Sequence, residues 1–257
     1  MSIEGQAYVI SKTSLGDLSY WHTRCIPLWL SSTESANIDQ TQVETELLNA
    51  LEAWDQLNCT SLSFTYQGTV DSQFVGYDNT LGASNYNLVT FVSSRTDWLY
   101  DPAALALTTV TMCINETPEC SAGTIVDADI EINESYHDFT TSADRPIKMD
   151  LANTLTHEVG HLIGLDHSPI FEATMYFQQP LGETIKRDLA EDDQMAVCSI
   201  FPLSDDRQCS LDPYQFITIN QTDQGCHLSW QWKVQQDPLA VYLFVLLFGL
   251  LRFRATA

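Results

Sequence analysis

Positive charge is scarce in this sequence. Its 257 residues hold 11 lysines and arginines against 34 aspartates and glutamates, a formal net charge of −23. That balance excludes nucleic acid and anionic membrane surfaces as electrostatic partners, because phosphates would be repelled. The chain lacks any C-x-x-C pair, which argues against a zinc site built from cysteines. No internal repeat is visible. The opening residues, MSIEGQAYVISKTSLGDL, contain no apolar segment of the kind a signal peptide needs. Near the other end, Leu239 to Leu251 is an uncharged run of only 13 residues, followed by Arg252 and Arg254. A full membrane span needs about 20. Histidine is also rare. There are six, yet His157, His161 and His167 fall within eleven residues of one another.

What is present is enough for a folded core. Hydrophobic residues make up 44% of the chain, which rules out a disordered polymer and suits one large domain with an appendage. Seven cysteines are spread along it. Cys113 and Cys120 bracket INETPE, and Cys198 and Cys209 bracket SIFPLSDDRQ. Short loops of this kind favour disulfide closure in an oxidising compartment. Cys25 and Cys59 then pair by elimination, and Cys226 is left over. A secreted or cell-surface location is the corresponding expectation.

The element pattern is α+β. Strands are expected at Ala7–Ser11, Ile26–Ser31, Leu62–Gln67, Asn87–Val92, Leu107–Ile114 and Gly123–Asn133. Val43, Leu47, Leu51, Trp54 and Leu57 recur at helical spacing after Thr41 and Glu44, which fit a capping box, so a helix is expected over 41–58. A second is expected over 150–164 with Asp150 as N-cap. A third, over 190–201, opens with Glu191, Asp192 and Asp193, which suit the positive end of a helix dipole, and stops at Pro202. Strands mixed with helices in this order give one sheet backed by two long helices. The domain is expected to occupy 1–211. An irregular linker follows at 212–237, then an apolar segment with a basic end at 238–257.

LTHEVGHLIGLDHSPIFEATMY carries the chemistry. On a helix, His157 and His161 project from one face a turn apart and can hold one metal ion. Glu158 lies beside a ligand, where it can reach a water on the metal without binding the metal itself. His167 is six residues beyond His161 and cannot share that helix face. Gly164 can take a positive φ and end the helix, so the chain can turn His167 back to the same point. The pattern is H-E-x-x-H-x-x-G-x-x-H, with Met175 eight residues downstream.

This stretch resembles the metzincin metalloendopeptidases, and the matrixin branch in particular, through His167-Ser168 and the spacing to TMY. LEAWDQLNCTSLSF, LALTTV and DLAEDDQMAVCSIFP are similar to the family's first helix, edge strand and final helix. The resemblance implies a zincin-type mixed twisted sheet with a substrate edge strand. It implies a catalytic zinc on His157, His161 and His167, Glu158 as base, and Met175 in a hydrophobic turn below the metal. An extended peptide substrate would pair antiparallel with Leu105, Ala106, Leu107, Thr108 and Thr109 by strand addition. Asp127, Asp129 and Glu131 lie where the family clusters acids and share one strand face, a candidate calcium set. His137 has no neighbouring histidine to complete a second zinc site and reads as a surface residue. The proline that follows the tyrosine in the family is missing after Tyr176.

The expected function is an exported or surface-attached zinc endopeptidase. The alternative is an adhesion protein on an inactive scaffold of the same kind. Gly225-Cys226, the apolar run and the terminal arginines resemble the tripartite sorting tails of some bacterial surface proteins. That resemblance implies membrane attachment or processing through the tail.

Overall fold

In the computed structural model of the chain, residues 7–80, 83–118, 120–142 and 148–209 are described in full, and 229–235 by their backbone. β1 (Val9–Ile10) and β2 (Tyr20–Trp21) are short and lead to β3 (Cys25–Ser31). α1 (Gln40–Asp55), β4 (Ser63–Val70), β5 (Leu88–Val92), β6 (Ala104–Met112) and β7 (Thr124–Asn133) follow. β8 (Phe139–Thr140) and β9 (Met149–Asp150) pair in parallel just before α2 (Leu151–Leu162). β10 (Leu165–Asp166) pairs antiparallel with β1. A 3-10 turn at Ile185–Arg187, α3 (Glu191–Ile200) and β11 (Ser229–Gln235) complete the order.

The main sheet runs β11-β6-β7-β5-β3-β4, with β2 alongside one end of β7. Strands β4, β3, β5 and β7 are mutually parallel, whereas β6 is antiparallel to β7. β6 and β7 are buried along their whole lengths, as expected for strands covered on both faces. The architecture is the α+β fold expected from the sequence, a mixed and mostly parallel sheet with helices packed against it.

α1 buries Val43, Leu47, Ala50, Leu51 and Trp54. Its cap differs from the expected box. Asp39 accepts the Thr41 N–H at 2.9 Å, so the helix starts ahead of Thr41, because a carboxylate satisfies the first free N–H groups well. α2 is buried at all twelve positions, packing on α1, β6 and β7. Asp150 caps it by accepting the Asn153 N–H at 2.9 Å. Two indoles fix its position: Trp54 Nε1 donates to Thr156 O and Trp21 Nε1 to Leu162 O, both at 2.8 Å.

Cys113 and Cys120 are bonded, but the other pairs are Cys25–Cys209 and Cys59–Cys198. This corrects the expected Cys198–Cys209 and Cys25–Cys59. Closeness in sequence is overridden by the paths of the two segments. The end of α3 packs at the entry to β4, where Ser61 N–H donates to Phe201 O at 2.8 Å, so Cys198 meets Cys59. The chain beyond Pro202 then runs to the head of β3, where Arg207 donates to Trp21 O at 2.6 Å and Thr23 to Gln208 O at 3.0 Å.

The boundary at 211 and the apolar segment 238–257 lie outside the described residues. Residues 229–235, expected inside an irregular linker, form β11. SWQWKVQ alternates apolar and polar residues, a period-2 pattern that suits a strand. Among the described residues, no helix is long and apolar enough to cross a membrane.

Candidate metal centre

The site is built where α2 ends. His157 and His161 sit one turn apart, with ring centroids 4.7 Å apart. At Gly164 the backbone takes φ +101°, a conformation that glycine adopts without the penalty a Cβ would bring. The Gly164 N–H donates back to His161 O at 3.0 Å, and its carbonyl accepts the Ser11 N–H at 2.9 Å. A Cβ there would also meet Ser19 O at 3.1 Å. After this reversal β10 carries the chain past the helix end and delivers His167.

The three ligand nitrogens lie within 4.8 Å of one another, the one such three-residue group of metal-ligating side chains among the described residues. His161 Nε2 lies 3.1 Å from His157 Nε2 and 3.2 Å from His167 Nε2. The other nitrogens of the α2 pair are engaged: His157 Nδ1 with Thr174 O at 2.6 Å and His161 Nδ1 with Leu165 O at 2.8 Å. Carbonyls only accept, so each Nδ1 carries the proton and each Nε2 presents a lone pair. A cation placed among these nitrogens would be bound by all three. Zinc–nitrogen bonds of about 2.0–2.1 Å in a tetrahedron put ligand nitrogens roughly 3.3 Å apart, close to what is seen. Burial holds His157 and His161 well below the usual histidine range, and the positive charges of neighbouring histidines, His167 among them, and of Lys186 add to it. Burial, with Lys186 adding to it, brings His167 down to about 4. Neutral imidazoles are the form that binds metal. The residues therefore fit a zinc ion.

Glu158 is fully buried. Thr108 Oγ1 donates to its Oε2 at 2.5 Å, while its Oε1 has no hydrogen-bond partner. Burial pushes the carboxyl up to about 8, against the pull of Thr108 and Lys186. One oxygen is held in place and the other is left to accept a proton. Thr108 lies in β6, so the strand expected to align substrate also orients the expected base.

Met175 is buried under α2. A Cβ added to Gly160 would lie 2.2 Å from Met175 Sδ and 2.9 Å from the Trp54 ring, so a side chain here would force the methionine off its place against the helix. That turn is held by residues the sequence reading took only for dipole partners. Asp193 accepts the N–H groups of Thr174 at 2.7 Å and Met175 at 3.1 Å, and Asp192 accepts from Ser168 Oγ at 2.6 Å. Lys186 was missed altogether. Its buried ammonium donates to Tyr176 O at 2.7 Å and to Gln178 O, beneath the segment after the methionine. The run of acids at the start of α3 was the available signal for the first. Nothing local marks the second.

The acids of β7 behave differently. Asp129 accepts N–H groups from Gly76 at 2.5 Å and Leu88 at 2.8 Å, and Glu131 accepts from Tyr100 Oη at 3.2 Å. Asp127, Asp129 and Glu131 do not form a three-ligand group. Strand alternation places them on one face, with Cα atoms roughly 7 Å apart along it; Asp127 lies against Asp129, while Glu131 is engaged by Tyr100. His137, expected on the surface, is half-buried, with Nε2 2.9 Å from Pro102 O.

Residues 117–202, which include the three histidines, Glu158, Met175, Lys186 and Asp193, match the matrixin family model. Karilysin of Tannerella forsythia is 33% identical over 94 residues, 36% of this chain and 19% of karilysin. The match thus spans about a fifth of that relative's length.

Proposed function

From the premise that this chain is matrixin-like over the segment that builds its metal centre, we propose that it is a zinc-dependent endopeptidase. The observation that carries the reading is the meeting of three neutral imidazoles beside a buried carboxylate with one free oxygen. His157, His161 and His167 would hold the metal. Zinc bound there supplies a Lewis acid that acidifies water and polarises a peptide carbonyl. Glu158 takes a proton from the attacking water through Oε1 and returns it to the leaving amine. Thr108 fixes the carboxylate during both transfers. Asp193 keeps the methionine turn against α2 and so keeps His157 aimed, because Thr174 both donates to Asp193 and accepts from His157. An extended peptide would align along β6 by strand addition.

Three disulfides among the described residues support folding in an oxidising compartment and hence export or surface exposure. No calcium role is assigned to Asp127, Asp129 or Glu131. The test is hydrolysis of an unfolded protein. Activity should disappear with a chelator and return with zinc. Glu158→Ala should retain stoichiometric zinc and lose turnover by about 10²–10⁴-fold. A Glu158→Ala protein with undiminished turnover would overturn the assignment of the base.

A further inference from the structure

The outer side of β6 is not vacant. β11 pairs antiparallel with it, setting Ser229 opposite Thr111, Gln231 opposite Thr109, Trp232 opposite Thr108, Lys233 opposite Leu107 and Gln235 opposite Ala104. The register shifts once, between Lys233 and Gln235. The ladder therefore runs along Leu105–Thr109, the strand proposed above to align an extended peptide. Its middle passes Thr108, whose hydroxyl holds Glu158. It also has the polarity expected of substrate. We propose that residues 229–235 are a latch in cis, a segment of this chain that occupies its own substrate strand and keeps the protease latent until it is displaced. The proposal rests on the endopeptidase reading for its functional consequence, but the occupancy itself does not.

Physical chemistry favours such a latch. A strand edge exposes a row of unpaired N–H and C=O groups, and any extended segment can satisfy them through its backbone. A substrate arrives from solution, whereas β11 is covalently joined to the core. Cys209 is bonded to Cys25 at the head of β3, and only residues 210–228 separate it from Ser229. Tethering over a short connection gives effective concentrations on the order of millimolar. A peptide substrate at micromolar concentration then competes poorly, and its apparent affinity falls by the fraction of molecules whose edge is open.

The experiment compares the full chain with a full-length Trp232→Pro/Lys233→Pro variant, both loaded with zinc. Adjacent N–H groups in an antiparallel ladder point to opposite sides, so one of the two prolines must delete a donor facing β6. Hydrolysis of a short extended peptide and hydrogen exchange of the β6 amides are measured together. The variant should show kcat/KM raised by at least about tenfold through a lower KM, as expected when most edges are closed in the parent. Exchange should speed up at the β6 amides that face β11. In the parent, specific activity should not change with protein concentration, since the latch acts within one chain. Equal kcat/KM in the two proteins, or unchanged β6 exchange, overturns the latch. If both proteins bind zinc and neither cleaves peptide, the endopeptidase reading fails. The exchange result alone then decides whether β11 occupies β6.

Discussion

Two sets of three metal-ligating side chains stand out among the described residues, and only one of them converges. His157, His161 and His167 bring their nitrogens within 4.8 Å of one another. Asp127, Asp129 and Glu131, equally regular in sequence, do not. The difference lies in the backbone that carries them. A helix stacks positions four apart on one face, and a glycine-permitted reversal adds a third group from another direction, so three side chains point at one spot. A strand sets alternate residues in a row, where Asp127 and Asp129 lie side by side and Glu131 turns to Tyr100. Asp129 is consumed by the N–H groups of Gly76 and Leu88, which tie down the segment ahead of β5 and the start of that strand. Similar spacing regularity thus yields a converging set of metal-ligating nitrogens in one place and structural fastening in the other.

The contrast can be broken most sharply at His161. His161→Ala should abolish both stoichiometric zinc binding and peptide hydrolysis, measured by metal analysis and turnover, while the disulfide-bonded core stays folded. Full zinc retention in that variant would mean that the histidines are not the ligands. The acidic side is tested by Asp129→Ala, which strands the buried N–H of Leu88 and the partly buried N–H of Gly76. Each should cost about 1–3 kcal/mol of stability, read from denaturant midpoints. Zinc content of the folded variant should not change, and loss of zinc there would contradict the separation of the two sets.

The smallest expected effect is in pH dependence. Burial, and next the charge of Asp127, raise the Asp129 carboxyl well above its ordinary range, so the folded protein keeps a proton that the unfolded chain releases. The associated stability is complete below the ordinary carboxylate pKa of about 4 and is lost as pH rises through the raised value. Asp127→Asn removes the second cause. The decline of stability with rising pH should become shallower, as judged from unfolding midpoints at several pH values. An identical decline in parent and variant would remove Asp127 as a cause.

The metal centre is legible in the sequence because its geometry is local. Spacings of four and six residues with one glycine are enough to bring three imidazoles together. The helices and most strands are legible for the same reason, since burial follows apolar periodicity. The supports of the site are not. Asp193 reaches the methionine turn, and Lys186 reaches the carbonyls of Tyr176 and Gln178, only because distant segments fold together. The disulfides show the same limit. Cys113 and Cys120 are fixed by a short turn, but Cys25 and Cys209 are brought together by the path of the chain after α3. β11 is a mixed case. Its alternation can be seen in SWQWKVQ, whereas the strand it pairs with cannot.

The Cys25–Cys209 bond also sets how the molecule carries mechanical load. It closes a covalent ring with a sequence separation of 184 residues, and that ring contains α1, α2, α3, every histidine of the metal centre and Glu158. Tension applied between the two ends of the chain crosses from residue 25 to residue 209 through sulfur and bypasses the ring. A pull beyond Cys209 first strips β11 from β6, unzipping it from one end. A pull on the other end must first open the two-residue ladder between β1 and β10, the strand that delivers His167. The metal centre therefore sits inside a force-shielded loop, with a short ladder on one side and its covering strand on the other as the parts exposed to traction.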